Sequence, residues 1–117
     1  MRFSLITALL ATLATTSMAD RMTVNTKCPC EWCGSCDSRD ATFFTEHGSY
    51  GVNANTGCRG TKVPGMTELC VDWGRGRAHF YYRGQNKCCL LLKSKTVSSC
   101  IADHCHRTEW EEARCSW

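Results

Sequence analysis

Cysteine constrains this 117-residue chain more than any other feature. Eleven occur, at Cys28, Cys30, Cys33, Cys36, Cys58, Cys70, Cys88, Cys89, Cys100, Cys105 and Cys115. Beyond residue 19 they make up about one residue in nine, above the ~8–10% that marks a disulfide scaffold in a short exported chain. A domain of this size buries only about 60–65% of its unfolded surface. Bridges worth ~2–4 kcal/mol each are therefore expected to supply much of the stability. The count is odd, so five bridges leave one cysteine unpaired, either free or joined to a second molecule in a disulfide-linked dimer. The pairing is not legible. Only Cys28 with Cys30, and Cys88 with Cys89, are poor partners, because a bridge needs Cα atoms about 4.4–6.8 Å apart and suitably directed Cβ vectors.

The compartment follows from the first 19 residues. Arg2 gives a positive start, Leu5 to Ala14 is mostly apolar, and Ser17-Met18-Ala19 offers small residues at a cleavage site. That is the grammar of a signal peptide over residues 1–19, followed by one disulfide-rich domain over residues 20–117, secreted and extracellular. The apolar run is too short to span a bilayer, and no later stretch approaches the ~18 apolar residues that a membrane helix needs. No membrane span is expected. There is no Asn-x-Ser/Thr acceptor and no dibasic processing site.

The domain reads as small, disulfide-rich and mainly β, with antiparallel hairpins or a meander and a short C-terminal helix. Asp20 to Lys27 is polar without a period and reads as a loose arm. Cys28 to Cys36 packs four cysteines, Pro29 and Gly34 into nine residues, a knotted loop tied to distant partners. Ser38-Arg39-Asp40 reads as a turn. Ala41–Thr45 and Ser49–Asn53 have strand content and make a hairpin around Glu46-His47-Gly48. Asn55 to Gly60 and Pro64-Gly65 are turn material around a short Thr61–Val63 piece.

A three-stranded meander follows: Thr67–Trp73, Arg77–Tyr82 and Lys87–Lys93, joined by glycine-bearing turns. Strand alternation puts Phe80 and Tyr82 on one side and His79 and Tyr81 on the other, and directs Cys88 and Cys89 to opposite faces. Leu90 to Leu92, apolar on both faces, suits a central strand. Ser98 to Cys105 is a loop or helical turn. Thr108 with Glu111 three residues on fits a capping box, so Thr108–Arg114 reads as the short helix. Cys115-Ser116-Trp117 reads as a stapled end.

Charge is uneven. Without Arg2 there are 13 basic and 11 acidic residues, a net charge of +2. Between Cys58 and Lys95, however, eight basic residues (Arg59, Lys62, Arg75, Arg77, Arg83, Lys87, Lys93, Lys95) face only Glu68 and Asp72. Such a middle suits an anionic surface such as a wall polymer, phospholipid or nucleic acid, or is simply a solvated face. A nucleic-acid partner is not expected. The candidate binding residues are Arg75, Arg77, His79, Tyr81, Tyr82 and Arg83, on the second hairpin of the meander.

An export signal, about a hundred mature residues, dense cysteines and no enzyme motif together resemble the small cysteine-rich secreted proteins of plant-associated fungi, the effector candidates. The residues that carry the likeness are Pro64-Gly65-Met66-Thr67 into Leu69-Cys70-Val71-Asp72-Trp73, then Ala78-His79-Phe80-Tyr81-Tyr82, Lys87-Cys88 and Cys115-Ser116-Trp117. The resemblance implies virulence-related, toxin-like action on a host or competitor outside the cell, and no particular target.

Three other chemistries compete. Cys28, Cys30, Cys33 and Cys36, with His104 and His106, have zinc-like spacing, but in an oxidising compartment such cysteines become bridges. Cys33-Gly34-Ser35-Cys36 lacks the βαβ context of a redox motif. No metal or other cofactor is expected. A small ribonuclease would need a base, an acid and a cation, for which Glu46, His47, Arg77 and His79 are available; no catalytic residue is assigned. A glycan-binding or chitin-binding module would use Trp73, Tyr81, Tyr82 and Trp110 as a platform, about half of which belong to the core.

Overall fold

The computed structural model describes residues 19–30, 35–98, 100 and 103–117. Eight strands run in chain order as β1 (Arg21–Cys28), β2 (Asp37–Thr45), β3 (Gly48–Val52), β4 (Gly57–Arg59), β5 (Met66–Asp72), β6 (Arg77–Tyr82), β7 (Cys88–Ser98) and β8 (His104–Ala113). They form one antiparallel sheet in the order β3-β2-β1-β8-β7-β6-β5-β4. Two meanders, β1 to β3 and β4 to β8, therefore meet at a central seam where β1 pairs β8.

The sheet is strongly curled. Phe43 on β2 and Phe80 on β6 are four places apart in the order, which in a flat sheet with about 4.8 Å between strands would separate them by roughly 19 Å. Their rings instead meet edge to face at 5.0 Å. The concave side holds the core, with Met22, Val24, Phe43, Leu69, Phe80, Leu90 and Trp110 all fully buried. At one end the Trp73 ring packs against Trp110 at 5.0 Å, and its indole N–H donates to the Ala54 carbonyl at 2.7 Å.

Cross-links brace this sheet. Cys28–Cys36, Cys58–Cys70, Cys89–Cys115 and Cys100–Cys105 are bonded, and Cys30 is also disulfide-bonded. The first of these is a local clamp, not a tie to a distant partner.

Several expectations are overturned. There is no C-terminal helix: residues His104–Ala113 are β8, zipped to β1 on one side and β7 on the other. In that setting His106, Thr108 and Trp110 face inward. The Thr108 hydroxyl, read as a helix cap, accepts a hydrogen bond from the Trp110 indole at 2.8 Å. Two ladders outweigh one side-chain cap. The supposed arm at Asp20–Lys27 is largely β1, at mid-sheet, because Met22, Val24 and Thr26 alternate onto the concave face. Ser38, read as a turn residue, is in β2 and shares a buried hydrogen bond with Thr26 at 2.8 Å. Gly57–Arg59, read as turn, pairs with β5 as an edge strand. The Ala41–Thr45 hairpin, the Arg77–Tyr82 strand and the stapled Cys115 stand as read. The leader reading and Cys33 fall outside the described residues. Among the described residues no helix is long and apolar enough to cross a membrane.

Candidate functional site

Strand alternation sorts β6 cleanly. Ala78 and Phe80 are buried on the concave face, and Tyr82 points the same way, its hydroxyl donating to Asp20 Oδ2 at 2.9 Å. Arg77, His79 and Tyr81 form a row on the convex, outer face. Residues directly opposite in a ladder share a face, so Asp72, Cys70 and Glu68 of β5 stand beside that row, and Leu91 and Cys89 of β7 flank its other side.

Two bridges complete the surface. Cys70 is tied to Cys58 on β4, and Cys89 to Cys115. The second bridge draws the segment after β8 over the outer face. There the Arg77 guanidinium rests over the Trp117 ring at 5.0 Å and the Lys87 ammonium lies 5.8 Å from it. Lys87 also donates to the Trp117 main-chain oxygen. The result is a shallow cleft of about 240 Å³ whose walls include Cys58, Cys70, Asp72, Arg77, His79 and Trp117. Tyr81 stands at its margin, edge to face with His79 at 5.7 Å. The Trp117 indole nitrogen is buried beside it without a hydrogen-bond partner among the described residues.

The field in this cleft is positive. His79 is held below the usual histidine range, first by burial and then by the Lys87 charge, with Arg77 adding to it and Glu68 opposing. Arg77 has no ion pair among the described residues, whereas Asp72 is held by Arg75 at 3.1 Å. The bond from Arg75 is the main reason the Asp72 carboxyl stays below its ordinary pKa.

The predicted residues therefore divide. Arg77, His79 and Tyr81 come together. Arg75 sits on a short 3-10 turn, Trp73–Arg75, and is committed to Asp72. Tyr82 and Arg83 line a different cavity of about 500 Å³ at one end of the curled sheet, shared with Asp20, Glu46, His47 and Cys88. That division also separates the ribonuclease set: Glu46 and His47, 3.3 Å apart on the β2–β3 turn, border the end cavity, while Arg77 and His79 line the outer cleft. The aromatic platform is dispersed as well. Trp110 is in the core, Trp73 packs against it, Tyr82 faces inward, and Tyr81 alone of the four faces outward.

Cys88 is the free thiol among the described residues. It faces inward while Cys89 faces outward, as alternation requires, and only Cys89 is bridged. Burial, then the charges of Glu112 and Asp20, push the Cys88 thiol pKa up. The zinc-like spacing resolves into disulfides for Cys28, Cys30 and Cys36. Cys58, Glu68 and Cys70 also come within 4.8 Å of one another, but the two sulfurs are already bonded together.

Sequence reasoning missed Trp117 in the wall of the cleft and Lys87 beside it. The closing Cys-x-Trp signalled a stapled end, but which face it covers depends on the Cys89–Cys115 pairing. Comparison with protein-family models, curated proteins and solved structures finds no match.

Proposed function

We propose that this chain is an exported, non-enzymatic recognition protein of the effector or toxin-like kind, which binds an anionic extracellular surface on a host or competitor. The observation that supports this reading is the outer row of β6. Arg77, His79 and Tyr81 face solvent together, backed by Trp117 and Lys87, while the opposite side of the same strand is locked into the core. A guanidinium spread over an indole and without an ion pair among the described residues is available for a carboxylate, sulfate or phosphate group. Disulfides on either side, Cys58–Cys70 and Cys89–Cys115, hold the row rigid, so little ordering entropy is lost on binding.

The test applies the oxidised protein to leaf tissue and, separately, to microbial cultures. Wild type is expected to act in one of them, and Arg77→Glu to lose that action while keeping its melting temperature. Silence in both assays, or full action by Arg77→Glu, would refute the reading. Glycan binding is checked alongside by pull-down on insoluble chitin. Retention that disappears in Tyr81→Ala would assign the target to sugar.

A further inference from the structure

The two long strands outrun their neighbour. β7 pairs with β6 only over Cys88–Leu91, opposite Arg77–Phe80. The last bond on that side runs from the Leu92 amide to the Gly76 carbonyl at 3.0 Å. At that point the neighbouring chain turns away. Asp72 caps the 3-10 turn through the Arg75 amide, and Gly76 takes a left-handed conformation (φ 60°) that a β-carbon would resist. On its other side β7 continues along β8 through Ser98, paired as far as Ser98 with Cys105. Lys93–Ser98 is thus a six-residue strand edge, roughly 20 Å long at ~3.3 Å per residue, in line with β6 and without a strand beside it among the described residues.

Everything along this edge is exposed. All six side chains from Lys93 to Ser98 are solvent-facing, and Val97, at 83% exposure, is the one exposed large hydrophobic among the described residues. Neither Lys93 nor Lys95 has an ion pair among the described residues. Of the charges nearby, Arg75 pairs with Asp72, and Arg107 with Glu109 at 3.0 Å. The net field along the edge is positive, and its reach is visible at His106, which burial and then Lys95 hold below the usual histidine range.

Open main-chain N–H and C=O groups are a template for an added strand. Charge decides which strand fits. A second copy of this chain laid antiparallel along the same edge would bring four ammonium groups onto one pair of strands, with Lys93 directly against Lys95 in the register centred on Ser94, and like charges on paired strands repel. We infer that Lys93–Ser98 is a docking edge for an extended acidic segment of a partner protein, which adds as a strand beside β7, sets its carboxylates against Lys93 and Lys95 and covers Val97. The lysines then act twice, rejecting self-association and selecting an acidic strand. The inference is independent of the outer-face reading, since none of Arg77, His79 and Tyr81 lies on this edge.

The probe is a blocked peptide of about eight residues in which glutamate and valine take turns at every second position with threonine between them, so that both fall on the face that Lys95 and Val97 share, titrated into the full oxidised protein. Amide hydrogen exchange is expected to slow at amides within Lys93–Ser98. Affinity is expected to fall about tenfold or more in a Lys93→Glu, Lys95→Glu double variant, which should in turn take up a lysine–valine peptide. Methylating alternate peptide amides on their hydrogen-bonding side should abolish binding. Absence of slowed exchange at Lys93–Ser98 would overturn the proposal, as would equal binding by the methylated peptide, which would mean side-chain attraction alone. Dimerisation of the free protein through this edge, seen by sedimentation, would overturn the choice of occupant.

Discussion

Cys88 and Cys89 are adjacent and identical, yet one is a bridge and the other a thiol because strand alternation points them to opposite sides of the sheet. Cys89 meets Cys115 outside; Cys88 faces Asp20, Tyr82 and Glu112 inside. Alkylation of the folded protein near pH 8 is therefore expected to label Cys88 alone, and more slowly than a free model thiol, because less of it is ionised. Mass analysis checks this, and labelling at any described cysteine besides Cys88 would contradict it. The same inside–outside logic separates aromatics. Phe43→Ala, which removes the partner of Phe80, is expected to cost about 3–5 kcal/mol in urea unfolding, and Tyr81→Ala to stay within about 0.5 kcal/mol. At this scale the sequence was informative where alternation was unbroken, as in Arg77–Tyr82. It misled at Thr108, where a hydroxyl three residues before a glutamate satisfies the pattern of a helix cap and equally serves a tryptophan indole.

Among the elements, β6 and the β2–β3 hairpin were readable because their own residues carry the period and their turns carry glycine. β1 and β8 were not. Each alternates inward residues (Met22, Val24, Thr26; His106, Thr108, Trp110) with polar ones, and each needs its partner, far along the chain, to make a ladder. Half-polar strands of that kind look like arms or helices when read alone. The segment after β8 is the clearest case of an element defined by a cross-link. Replacing Cys89 and Cys115 together by serine is expected to cost ~2–4 kcal/mol of stability. It should also free Trp117 from Arg77 and Lys87, weakening target binding while leaving the strand pairing intact. Tryptophan fluorescence and the binding assay test the two effects separately. Unchanged binding with a released Trp117 would remove that residue from the site.

For the whole molecule, titration has a preferred direction. His79 and His106 are held below the ordinary histidine value, so the unfolded chain takes up protons that the folded one resists. Their contribution is complete above about pH 6.5 and is lost as pH falls through their depressed folded values. Asp72, and Asp37 held at about 2 by Arg39, act in the same direction at lower pH, though solvent screening limits both. Asp20, raised chiefly by burial, opposes them: its contribution is present below its unfolded pKa and is lost as pH rises through the folded one. The melting temperature is expected to drop between pH 7 and 5, and His79→Gln with His106→Gln to flatten that slope. A midpoint that rises across this range would reverse the assignment. The β1–β8 seam has a different kind of consequence, one of timing. Thr23 donates to Glu109 at 2.9 Å across 86 residues of chain, so the middle of the sheet cannot close until β8, the last strand in order, exists. Contacts of such span make folding slow. A chain synthesised from its N-terminus keeps an unfinished sheet, and remains pliable enough to be threaded, until β8 has been made.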